Sequence, residues 1–137
     1  MIYGVGTDII DISRIDKIVK KFNKKFISRI YGSEEIKIFD KSFSKSSTNL
    51  FLGKRFAVKE AFWKALSPMR GEGIFFKEIE TLNDTNGKPY LYLSGNTATY
   101  IKNKEKKLNG RFKFDISLSD EPPYALAFVV ISLDRNV

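Results

Sequence analysis

The chain has 137 residues, 42% of them hydrophobic, with twelve Phe and a formal net charge of +8. This is the size and composition of one globular domain over residues 1–137, with self-association a natural way for so small a domain to bury more surface. It has neither Cys nor His, which excludes disulfide frameworks, thiolate nucleophiles, Ser-His-Asp triads and Cys- or His-based metal sites.

Any metal must therefore be held by oxygen, which favours magnesium, manganese or calcium. The positive charge points to an anionic partner: nucleic acid, a membrane surface, an acidic protein or a phosphorylated small molecule. The start, Met1 to Gly6, lacks the basic segment and apolar stretch of a secretory signal. No run approaches the ~18 apolar residues of a membrane span, so a cytoplasmic location is expected.

Residues 2–10 are β-branched and loosely alternating, which predicts a strand. Ser13 is a candidate N-cap for a helix to Phe22, with Ile15, Ile18, Val19 and Phe22 at helical spacing. Ser33-Glu34-Glu35 opens a second helix, and the Ser- and Lys-rich residues 41–49 read as a loop. A longer helix is expected from Thr48 or Asn49 to Leu66, stopped by Pro68. Strands follow at 75–82 and 90–93, joined by a turn over 83–89. Ser94 or Asn96 could cap a helix through Lys107, and two final strands are expected at 111–119 and 124–133. The order predicts an α+β fold with a largely antiparallel sheet and packed helices.

Three places could carry chemistry. Asp8 interrupts an apolar strand, and Gly4 and Gly6 upstream would let a backbone or a ligand come close; equally, Asp8 could simply end the strand. Glu60 and Lys64, four apart, share a helix face. They read either as a surface ion pair worth about 0.3–0.5 kcal/mol or as groups able to hold a metal and its phosphate. Ala57, Ala61 and Ala65 indicate that this helix packs closely against something. The Gly87-Lys88-Pro89 turn is either a plain hairpin connection or an approach to an anion. Arg14, Lys17, Lys20, Lys21, Lys24, Lys25 and Arg29, interspersed with Phe22 and Phe26, form a solvated charged face or a dock for an acidic amphipathic helix. No nucleic-acid-binding motif is present.

Taken together, Gly4-Val5-Gly6-Thr7-Asp8-Ile9 with Arg14-Ile15, Arg55-Phe56-Ala57-Val58-Lys59-Glu60-Ala61 with Lys64-Ala65, Gly87-Lys88-Pro89, and Ile116-Ser117-Leu118-Ser119-Asp120 with Ala125 and Ala127–Val130 resemble the 4′-phosphopantetheinyl transferases of the holo-acyl-carrier-protein synthase type. The resemblance covers nearly the whole chain. It implies that fold and a magnesium-dependent transfer of 4′-phosphopantetheine from coenzyme A to a serine of apo acyl carrier protein, a step serving fatty acid synthesis. It further implies Asp8 and Glu60 as magnesium ligands, Lys64 beside the phosphates, Arg55 and Gly87-Lys88-Pro89 on coenzyme A, and a homotrimer with sites between subunits. The acidic carrier would meet Arg14, Lys17, Lys21 and Lys24. Glu60, directly or through a water, would be the proton acceptor.

Two departures from the family pattern stand out. Asp115 replaces the family's usual His, and any catalytic role of that imidazole is either taken by the Asp115 carboxylate or absent. Ser67-Pro68-Met69 replaces Gly-Thr-Gly after the central helix, with Arg70 a candidate substitute in coenzyme A binding. Two rival readings remain at this level. One is a basic α+β binding module, for RNA among other anions, with Asp8 and Glu60 structural. The other is a family member that binds coenzyme A but turns over poorly.

Overall fold

In the computed structural model, described for residues 1–22, 24–39, 44–69 and 71–135, the elements alternate between two small sheets and their helices. In chain order they are β1 (Ile2–Asp11), α1 (Ile12–Phe22), α2 (Lys24–Ile30), α3 (Ser33–Phe39), α4 (Lys45–Leu66), a 3-10 turn (Phe76–Glu78), β2 (Ile79–Asn83), β3 (Pro89–Leu93), α5 (Gly95–Leu108), β4 (Arg111–Glu121) and β5 (Tyr124–Asp134). β1, β5 and β4 form one antiparallel sheet in that order, and β2 and β3 form a second. The expected α+β architecture with antiparallel sheets is present. No helix among the described residues is long and apolar enough to cross a membrane.

Several boundaries differ from expectation, each for a local reason. α2 is an additional helix, formed where the sequence read as a charge run; its Phe26, Ile27 and Ile30 pack against the core. α4 begins at Lys45 because Ser44 caps it, its Oγ accepting the Ser47 amide proton at 3.2 Å. The Ser-rich stretch expected as loop is thus in part a cap and first turn, while residues 41–43 of that loop lie outside the described residues. Asp11, not Ser13, caps α1, its Oδ1 accepting from the Ser13 amide at 2.9 Å. The expected strand at 75–82 starts only at Ile79. The preceding 3-10 turn aims Glu78 at α5, where its carboxylate accepts from the Asn96 and Thr97 amides at 3.1 and 3.0 Å. A borrowed acid satisfies amides that the expected Ser94 side chain leaves alone.

The central contact is between α4 and β1. A Cβ added at Gly4 would lie 1.9 Å from the Ala65 carbonyl oxygen, and one at Gly6 would lie 1.8 Å from that of Ala61. Glycines on the strand and alanines on the helix let the two backbones touch, which answers what the small residues pack against.

Strand register then sorts side chains to two faces of the larger sheet. Asp8 pairs with Ala127, which pairs with Leu118, and Ala127 is fully buried beneath α4. Val5 pairs with Val130, which pairs with Asp115, on the face turned away from α4. On β1 and β5 that outer face is largely apolar and open, with Val5 49%, Ile9 62%, Leu126 42% and Phe128 41% exposed.

Candidate active site

β1 and α4 bring together the first predicted group. The Lys64 ammonium donates to the Thr7 carbonyl at 3.0 Å and to Asp8 Oδ1 at 3.1 Å. The pair is not a free surface contact: the Asp8 side chain is 17% exposed and that of Lys64 52%. Glu60 sits one turn earlier on the same helix face and is half-buried. Burial raises its carboxyl above the ordinary value, the negative charge of Asp8 raises it further, and Lys64 and Arg14 pull the other way. Two partly buried carboxylates that repel each other form a place where a cation relieves the repulsion. Among the described residues no group of three or more acidic side chains could hold a metal alone. An ion here would complete its shell with water and substrate oxygen, as magnesium ordinarily does.

A second group forms elsewhere on the molecule. Arg55, Gly87 and Pro89 line one cleft of about 380 Å³, together with Lys54, Asn83 and Ser117. Arg55 is 6% exposed. Its guanidinium lies 3.8 Å from the centre of the Phe51 ring, and its Nε has no hydrogen-bond partner. Burial lowers its pKa, which the charge of Glu35 partly offsets. A buried, incompletely satisfied guanidinium at a cleft wall is suited to an incoming anion.

The Gly87-Lys88-Pro89 turn contributes differently from a nest of free amides. Gly87 has φ of +82°, which a side chain would strain. Asp84 Oδ1 takes the Asn86 and Lys88 amides at 2.8 and 2.9 Å, and the Asp84 carbonyl takes that of Gly87 at 3.0 Å. The turn is therefore rigid and internally satisfied, offering shape and the exposed Lys88 side chain rather than amide donors.

Asp115 does not join Asp8 and Glu60 within one chain. It lies on the outer face of the sheet, half-exposed, 3.8 Å from Lys113. Arg70 lies outside the described residues. In its loop, Glu72 is the residue that acts: Oε2 accepts from the Met69 amide at 3.0 Å and from the Tyr100 hydroxyl at 2.8 Å. That tie to α5 had no signal in the sequence beyond an acid among glycines. Arg14, Lys17, Lys21 and Lys24 are all exposed; the first three recur along one face of α1 at intervals of three and four. Arg14 also lies near enough to influence Glu60, so the basic face borders the carboxylates.

The family model of the 4′-phosphopantetheinyl transferase superfamily matches residues 4–129, and the chain belongs to that superfamily. Within it, the chain is 46% identical over 132 residues to a holo-[acyl-carrier-protein] synthase of Orientia tsutsugamushi (strain Boryong), spanning 96% of this chain and 98% of that one. Its fold matches the crystal structure of holo-[acyl-carrier-protein] synthase from Neisseria meningitidis with a TM-score of 0.82 at 37% identity, over 96% and 99% of the two chains. It also matches the synthase from Bacillus anthracis in complex with CoA (3′,5′-ADP), with a TM-score of 0.75 at 32% identity over 99% of both chains.

Proposed function

We propose that this transferase moves 4′-phosphopantetheine from coenzyme A to a serine of apo acyl carrier protein, releasing adenosine 3′,5′-bisphosphate. The observation that carries the reading is the Asp8–Lys64 contact at 3.1 Å beside Glu60, with Arg55 and Pro89 lining a separate cleft. Phosphoryl transfer needs positioning and charge neutralisation more than nucleophilic side chains. A chain with neither Cys nor His can supply both.

Magnesium fits the donors present: Asp8 and Glu60 would hold it, and when bound it would neutralise charge on the pyrophosphate. Lys64 stabilises the charge that grows on the phosphate oxygens as the pyrophosphate bridge breaks. The carrier serine Oγ attacks the β-phosphorus and the leaving oxygen departs with the nucleotide. Glu60, directly or through a water, accepts the serine proton. Arg55, Lys88 and the rigid turn at Gly87 and Pro89 bind coenzyme A. Arg14, Lys17, Lys21 and Lys24 receive the acidic carrier.

The protein assembles as a homotrimer in this reading. Support comes from the open apolar side chains of β1 and β5 on the outer face of the sheet and from Asp115 of β4 on that face, where it could meet a neighbour's Asp8 and Glu60 but not its own. The test is to incubate the protein with coenzyme A, magnesium and an apo acyl carrier protein and weigh the carrier. A phosphopantetheine mass gain supports the reading, and none across several carriers overturns it. Glu60→Gln should lower turnover by about 10²–10⁴-fold while leaving thermal unfolding nearly unchanged; near-normal turnover at saturating magnesium would remove Glu60 from the mechanism.

A further inference from the structure

Lys59 precedes Glu60 in the same sequence signature, yet it turns away from the carboxylates and is wholly buried. Its ammonium spends all its donors inside the protein: on Glu35 Oε1 of α3 at 2.6 Å, on the Phe76 carbonyl at 3.1 Å and on the Ile79 carbonyl at 2.5 Å. Glu35 is equally buried and equally fixed. Its Oε1 also accepts from the Gly32 amide, and its Oε2 from the Thr81 amide, both at 3.1 Å.

α4 needs such a fixture. Its buried residues, among them Leu52, Ala57, Val58, Ala61, Phe62 and Leu66, span more than half the helix circumference at about 100° per residue. An apolar stripe so wide does not select one rotation about the axis. The backbone packing against β1 is equally permissive, and the direction that Lys64 adds through Thr7 and Asp8 comes from a half-exposed side chain. Gly4 and Gly6 meet Ala65 and Ala61, and Ala57 repeats the same smooth surface one turn earlier, so a slide of about 5.4 Å would find similar backbone contact. A directional ion pair is what distinguishes the correct placement, because any other leaves two buried charges apart.

We propose that Glu35 and Lys59 are positioning residues of the transferase site: their buried pair fixes the rotation and register of α4. The direction in which Glu60 and Arg55 leave the helix follows from it. Arg55, four residues before Lys59, shares its face, while Glu60 lies about 100° and Lys64 about 140° around the axis from Lys59. One key thus orients both the phosphate-handling and the nucleotide-binding side chains. The functional half of this inference rests on the proposed reaction; the structural half does not.

The lone tryptophan, Trp63, lies on α4 and reports its placement directly. The protein carrying 5-fluorotryptophan should give one ¹⁹F resonance. The double variant Glu35→Gln/Lys59→Met removes both charges and should unfold within about 5 °C of the parent. It should nevertheless show several or broadened ¹⁹F resonances, with turnover falling about a hundredfold. A single sharp resonance at the parent position, or turnover within twofold of the parent, overturns the proposal. Should the double variant not fold, Glu35→Gln alone decides by the same two readouts. If the parent transfers nothing to any carrier, the proposed reaction fails while the fluorine spectra still test the key.

Discussion

Two charged clusters flank α4, and the protein treats them in opposite ways. Asp8, Glu60 and Lys64 sit at an open edge, with the Lys64 side chain half-exposed and few bonds holding them. Glu35, Lys59 and Arg55 lie inside, with the Lys59–Glu35 pair fully enclosed and satisfied by backbone groups of the 3-10 turn, of β2 and of Gly32 in the link before α3. Adjacent residues in one signature, Lys59 and Glu60, therefore divide between holding a shape and presenting a charge. Signature membership alone does not tell which; the direction of the side chain from the helix does.

Breaking one partner on each side should expose that division most clearly. Lys59→Met leaves Glu35 buried without its counter-ion and should cost about 3–5 kcal/mol. Lys64→Met removes an exposed partner and should cost under about 1 kcal/mol while still slowing transfer. Urea unfolding of the two variants checks this, and equal losses would erase the distinction between the clusters.

A smaller effect of opposite sign is expected at Arg55, which joins the buried cluster with its Nε unpartnered and its guanidinium stacked on Phe51. Arg55→Met should stabilise the free protein by about 1–2 kcal/mol and abolish the rise in Tm that coenzyme A gives the parent. Destabilisation instead would mean that the stacking on Phe51 outweighs the burial.

The smallest expected effect is at Glu80, the second acid of the interior. Burial raises its pKa, the Glu34 amide that it accepts at 3.1 Å lowers it, and the charge of Glu35 raises it again. With the folded pKa above the unfolded one, its contribution to stability is complete below the unfolded value and lost as pH rises through the folded value. Glu80→Gln should therefore be neutral in acid and stabilising near pH 7, by less than about 1 kcal/mol after solvent screening. Thermal unfolding across that range measures it; a parent and variant with parallel pH profiles would show that Glu80 ionises without cost.

The sequence made one side of this comparison readable and hid the other. Glycines at positions 4 and 6 and alanines at 57, 61 and 65 announce a close approach of two backbones, which places Asp8 against Glu60 and Lys64. Helical spacing alone puts Lys59 and Arg55 on one face, but nothing local says that this face is inward, because lysine and arginine are ordinarily exposed. The partner, Glu35, is remote in sequence. Asp115 shows the other limit. A strand's alternation gives two faces, and only the register with β5 decides that Asp115 and Asp8 occupy different ones. α2 was obscured by its lysines, whose charge masked the Phe26–Ile30 spacing.

That division of the sheet has a consequence for inheritance of damage. If the reaction draws on Asp8 from one copy and Asp115 from the next, chains lacking one or the other residue damage different halves of each shared site. Mixed with intact chains, such a chain would spoil a neighbour's chemistry while lending its own undamaged half to another. Two individually dead proteins, one lesioned on each face, could then restore a working centre wherever their sound faces meet.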